Sequence, residues 1–189
     1  MPRFPLTAIR FVTGSSISMG ETGTPHEQLI AKVFSGGQTG ADRAAVDFAI
    51  EHGVAYGGWV PRDGWAEDLR EPPGLLARYP KFVPTQSADV AIRTSLNVRD
   101  ANATVVFAPT SVPSRGVTQT LDIANVLKRP LLVLDPHTPA ARETLAEFFF
   151  GLRSGTVLNV AGSRESEAPG LYRAVRSLLD ETLGYFVTS

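Results

Sequence analysis

Six consecutive residues, Ser35-Gly36-Gly37-Gln38-Thr39-Gly40, place three glycines, two hydroxyls and an amide directly after an apolar run. Glycine lets the backbone bend and approach a bound group with no Cβ in the way. A helix start behind such a turn offers unpaired N–H groups and a partial positive charge to an anion. The segment is neither GxGxxG nor a P-loop, and it has no P-loop lysine. Asp42 and Arg43 follow at once and are counted with it as binding candidates.

Three further segments carry similar chemistry. Ser114-Arg115-Gly116-Val117-Thr118-Gln119-Thr120 repeats the combination of glycine, hydroxyls and a helix start, and Arg115 adds a cation suited to bidentate phosphate contact. The candidates here are Arg115, Gly116 and Thr118. In Asn97-Val98-Arg99-Asp100, Asn97 and Asp100 fall near Arg93 on a helical wheel. Arg99 falls instead among Ala88, Ile92 and Ser95, a small apolar face on which a charge needs a partner or a ligand. Gly162-Ser163-Arg164-Glu165-Ser166 offers Gly162, Arg164 and Glu165, with Glu165 or Ser166 expected to fix the arginine. Between the first and third segments, Glu67 and Asp68 are acid/base candidates, as is Asp122 further on. Trp59 and Trp65 are candidate stacking surfaces for a ring. His26, His52 and His137 are scattered without metal-ligand spacing, so no dedicated metal site is expected.

The elements that must position these residues can be read from periodicity. Leu29–Phe34, Val54–Gly58, Ala103–Ala108, Pro130–Leu134 and Thr156–Val160 are short apolar runs that read as buried strands. Ala41–His52, Ala88–Asp100, Val117–Lys128, Thr138–Leu152 and Pro169–Leu183 read as helices. Thr39 and Asp42 have N-cap and N3 spacing for the first helix. Thr138 and Pro139 have N-cap and N1 spacing for the fourth. Trp59 to Pro84 reads as a long irregular loop of the kind that is functional or disordered. Its aromatic residues argue against disorder. Alternation of strands and helices implies an α/β, Rossmann-like three-layer fold, with a mostly parallel sheet covered by helices on both faces. Ligands of such sheets bind outside the carboxyl ends of the strands, where all four segments fall.

The 189-residue length suits one domain, expected over residues 29–189. Residues 1–28 are rich in Gly, Ser, Thr and Pro and read as a flexible leader; Met19 is a second candidate start, and Leu6, Ile9, Phe11 and Val12 could add a short strand. A net charge of −1 argues against nucleic acid as a partner. The absence of cysteine excludes disulfides, thiolate metal sites and cysteine nucleophiles. No apolar run approaches the ~20 residues that span a bilayer, and no signal peptide is evident, so a cytoplasmic protein is expected. Phe148, Phe149 and Phe150 make the 139–152 helix apolar on more than one side, as at a homo-oligomer interface.

Ser35-Gly36-Gly37-Gln38-Thr39-Gly40-Ala41-Asp42-Arg43-Ala44 resembles the opening motif of the YpsA-like branch of the SLOG superfamily. More closely, the chain resembles the circularly permuted members described as molybdenum-cofactor carriers. Gly57-Gly58-Trp59-Val60-Pro61, Ala66-Glu67-Asp68, Asn97-Val98-Arg99-Asp100 and Asn159 to Glu167 extend the likeness in the same order, from about Leu29 to the C-terminus. The resemblance implies a Rossmann-like fold that binds a small phosphorylated ligand, either a nucleotide or molybdenum cofactor (molybdopterin). It also implies a distant likeness to lysine-decarboxylase-like phosphoribohydrolases, which cleave nucleoside monophosphates. The sequence departs from the pattern at Arg115, where members often have a second glycine, and at Ser163, where proline is expected. No acid follows the Thr118–Thr120 turn sooner than Asp122, which weighs more against hydrolysis than against binding. Three roles therefore stay open: a carrier, a hydrolase of nucleoside monophosphates, and a nucleotide sensor.

Overall fold

The computed structural model describes residues 28–109 and 115–187. The expectations made for residues 1–27, and for Ser114 at the head of the second glycine segment, lie outside the described residues.

In chain order the elements are β1 (Ile30–Ser35), α1 (Ala41–Glu51), β2 (Ala55–Gly57), β3 (Trp59–Val60), α2 (Leu75–Arg78), β4 (Val83–Pro84), α3 (Val90–Asp100), β5 (Ala103–Phe107), α4 (Arg115–Val126), β6 (Leu131–Leu134), α5 (Ala141–Phe150), β7 (Thr156–Gly162) and α6 (Leu171–Val187). Five strands form one parallel sheet in the order β2-β1-β7-β5-β6. This is the expected α/β architecture. The last strand in sequence lies at the centre, paired with β1 through Val33–Leu158 and with β5 through Val105–Val160.

Every residue of β5 is buried, as a strand covered on both faces requires. The helices divide into two layers. Helix α6 packs on α1 and α5, while α3 packs on α4. Phe48, Phe107, Phe149, Leu145, Leu158, Leu171, Leu179 and Leu183 fill the core.

The sequence expectations differ from the structure at particular places. The Trp59–Pro84 stretch is not structureless: β3 pairs in parallel with β4, and α2 lies between them. Tyr56, Tyr79 and Phe82 meet edge to face, with ring centroids 5.9–6.3 Å apart, and anchor this segment on the sheet. Thr39 is not the cap of α1. Gly40 holds that position at φ 70°, where no side-chain cap forms, because the Thr39 hydroxyl is turned to Glu67. Thr138 does not cap α5 either. Its hydroxyl donates to the Asp135 carbonyl at 2.9 Å, so the helix begins only at Ala141. Of the three phenylalanines, Phe149 is buried in the core, Phe148 packs against it and Phe150 is exposed.

Candidate functional site

All five strands of the main sheet run the same way, so the turns after β1, β7 and β5 leave from one edge. By the right-handed crossover rule, β1 passes to β2 and β5 to β6 in opposite directions across the sheet. Their helices α1 and α4 therefore lie on opposite faces, which makes the carboxyl end of β7 the topological switch point, the place where sheets of this kind bind ligands. The starts of α1 and α4 thus lie toward the same ends of the strands, on either side of β7.

The turn after β1 and the turn after β7 are in direct contact. Ala41 N–H donates to the Ser163 carbonyl at 3.4 Å. A Cβ on Gly40 would lie 2.4 Å from that carbonyl oxygen, so only glycine brings the two turns together. A third segment, around Glu67, laces them. The Gln38 side-chain oxygen accepts from Glu67 N–H at 3.1 Å and from Thr39 N–H at 3.3 Å. The Glu67 carboxylate accepts from the hydroxyls of Thr39 and Ser166 and from Ser166 N–H at 3.3 Å. Glu165 N–H in turn donates to the Thr39 hydroxyl at 3.1 Å. Burial alone would raise the Glu67 pKa, but the hydrogen bonds from Ser166 and Thr39 outweigh it and hold the carboxyl below its usual range.

Three arginines stand beside this lacing, Arg43 and Arg93 buried and Arg164 half-buried. Arg43 donates through Nε and Nη2 to the Gly37 carbonyl, at 3.2 and 3.1 Å. It also forms a bidentate pair with Asp68 at 2.9 and 3.1 Å. Burial opposes the charge of Asp68, but Arg43 prevails and keeps the carboxyl low. Arg93, from α3, lies against Gly36 so closely that a Cβ there would fall 1.6 Å from its Nη1. Its contact with the buried Asp42 is long, 3.4 Å, and its Nε is buried without a partner, as is the Ser163 hydroxyl. Burial pushes the Asp42 carboxyl above its ordinary range, despite the nearby charges of Arg93, Arg43 and Arg164. The third arginine, Arg164, is half-buried and lies over the Trp65 ring, 5.4 Å from its centre.

The remaining candidates separate into those beside this centre and those apart from it. Ser35 is buried; its hydroxyl donates to the Asp42 carbonyl at 3.1 Å and accepts from Gly37 N–H at 3.2 Å. Gly162 ends β7, and a Cβ there would strike the Phe107 carbonyl at 2.1 Å. Glu165 does not fix Arg164. Its carboxylate accepts from Gly170 N–H at 2.6 Å and Tyr172 N–H at 2.9 Å, at the start of α6. Nor does Ser166 fix Arg164, since its hydroxyl is bound to Glu67.

Arg115 opens α4, with Gly116 and Thr118 exposed on its first turn, and Asp122 is exposed further along. Helix α3 runs back toward the amino ends of the strands and carries Arg99 and Asp100 away from the switch point. Arg99 is not on a closed apolar face. Its side chain is 57% exposed and pairs with Asp100, whose carboxylate also accepts from the Trp59 indole at 2.8 Å. The Asn97 amide is used up on the backbone of Trp59, accepting from its N–H at 2.7 Å and donating to its carbonyl at 3.0 Å. These four residues fasten α3 to β3.

Sequence reasoning did not include Arg93 or Ser163 among the site residues. The signal for Arg93 was its i, i+4 spacing from Asn97, which puts both on the sheet-facing side of α3. Ser163 gave no signal beyond its place in a motif, because its burial is a tertiary fact. Among the described residues, no group of three or more His, Cys, Asp or Glu is placed to hold a metal ion, and no helix is long and apolar enough to cross a membrane.

Comparison with known proteins adds an independent line. Residues 33–183 match the circularly permutated YpsA SLOG family. The chain is similar to a proposed molybdenum carrier protein from Syntrophus aciditrophicus SB, whose crystal structure superposes with a TM-score of 0.73 at 36% sequence identity. That similarity covers 82% of this chain and 96% of the other. No curated protein matches the chain.

Proposed function

Since the chain belongs to the circularly permutated YpsA SLOG family, we propose that it is a carrier for a small phosphorylated, nucleotide-like ligand, with molybdenum cofactor as its cargo. The site lies at the carboxyl ends of β1, β7 and β5. The observation that carries this reading is the under-pairing of arginine there. Arg93 has one long contact with Asp42 and a buried Nε without a partner, and Arg164 has no ion pair among the described residues. A buried guanidinium with an unmet N–H is costly unless an anion satisfies it. Gly36 lets the Arg93 guanidinium lie against the backbone, and Gly40 lets the turn after β7 close on the start of α1. The similarity to a proposed molybdenum carrier protein supports cofactor rather than free nucleotide as the cargo.

The hydrolase reading draws less support. Glu67 and Asp68 are both held as carboxylates by several donors, below the range that suits a general acid near neutral pH, and Asp122 is exposed on α4. The test is mass spectrometry of the small molecules that copurify with the native protein, with elemental analysis for molybdenum. A phosphorylated pterin and molybdenum near equimolar with protein are expected. A protein that emerges free of both, and takes up neither when incubated with molybdenum cofactor, is not a carrier.

A further inference from the structure

Trp65 and Arg164 meet on the solvent side of the laced turns. Trp65 stands two residues before Glu67, in the segment that Gln38, Thr39 and Ser166 hold in place. Arg164 follows Ser163, whose carbonyl is tied to the start of α1. Both side chains are half-buried, with the guanidinium carbon 5.4 Å from the centre of the indole. The charge of Arg164 is felt at Asp42, Arg93 and Glu67, which puts it at the hub of the site. No carboxylate among the described residues pairs with it. It is therefore held over Trp65 by a cation–π contact, which is weak where water reaches it.

We propose that Trp65 and Arg164 form a two-part subsite for a planar fused-ring heterocycle bearing a phosphate. The ring takes the indole face that the guanidinium now covers, and the released guanidinium pairs with the phosphate. Both exchanges favour the bound state. A heterocycle stacks on indole over its whole face, and a guanidinium gains a bidentate, charge-assisted pair with phosphate. The inference rests on the carrier reading and adds which side chains recognise the ring and which the charge. Trp59 provides the contrast, because its indole N–H is committed to Asp100 on the flank of α3.

The chain has two tryptophans, so Trp59→Phe leaves Trp65 as the only indole reporter. Its fluorescence is followed while guanosine 5′-monophosphate, guanosine or inorganic phosphate is added. The monophosphate should quench Trp65 saturably, guanosine more weakly, and phosphate should compete without quenching. Adding Arg164→Ala should weaken the monophosphate by roughly tenfold or more while guanosine, whose indole face is uncovered, binds no more weakly than before. Arg164→Lys should recover part of the loss. Trp65→Phe, which keeps a ring in the fold, should weaken both nucleoside ligands when binding is read by calorimetry. Monophosphate affinity that survives Arg164→Ala, or saturation without quenching, overturns the subsite. If those variants still take up molybdenum cofactor as the parent does, the subsite is wrong and the carrier reading stands. If the parent binds neither the monophosphate nor the cofactor, both fall.

Discussion

Glu67 is the residue through which three separate stretches of chain are joined, and its ionisation should be visible in the stability of the fold. Donors from Thr39 and Ser166 favour the carboxylate, so its pKa is lower folded than unfolded. A group depressed in this way contributes stability that is fully present above the unfolded value, about 4.3, and is lost as pH falls through the folded value. Asp68, depressed by Arg43, acts in the same sense, while Asp42, raised by burial, acts in the opposite one. Comparison with Glu67→Gln cancels the other two. At neutral pH the variant should be less stable by about 1 kcal/mol, a modest figure because water reaches part of the cluster. The gap should close as pH falls below about 4. Urea denaturation of both proteins across that range measures it; parallel curves would show that Glu67 is not held as a carboxylate.

Gly40 shows at the scale of elements how the turn after β1 and the turn after β7 become one surface. Its φ of 70° and ψ of −130° suit glycine, and a Cβ would meet the Ser163 carbonyl at 2.4 Å. Gly40→Ala should cost about 3 kcal/mol or more, from backbone strain plus the forced separation of the turns. An unchanged denaturation midpoint would mean that the turns are not in contact. This junction also marks where the sequence was legible. The apolar runs from Leu29 and Ala103 and the helical stripes around Val46 and Leu179 announced the sheet and its cover, because burial on a regular element leaves a period. Gly36, Gly37 and Gly40 announced a close approach, since few other reasons gather three glycines in five residues. What the glycines approach was not legible. Arg93 arrives from α3, 57 residues beyond Gly36 in the chain, and its direction is set by packing alone. The same holds for Thr39, which has the spacing of a cap yet bonds to Glu67. Asn97, Arg99 and Asp100 were polar residues in a motif, and only the tertiary structure assigns them to fastening α3 on β3.

For the molecule as a whole, the strand order decides where a ligand can sit. Placing β7 between β1 and β5 sends the two outer pairs in opposite directions and makes its carboxyl end the switch point. The opposite edge has a cleft of its own, about 330 Å³, lined by Asn102, Pro130 and Arg153 among others, at the amino ends of β5 and β7. Backbone hydrogen exchange with and without added molybdenum cofactor distinguishes cargo bound at the carboxyl ends of the strands from cargo bound in that cleft. Cofactor-dependent protection of amides in 36–41 and 163–166 is expected. Protection confined to 151–156, or none anywhere at saturating cofactor, would contradict binding at the carboxyl ends.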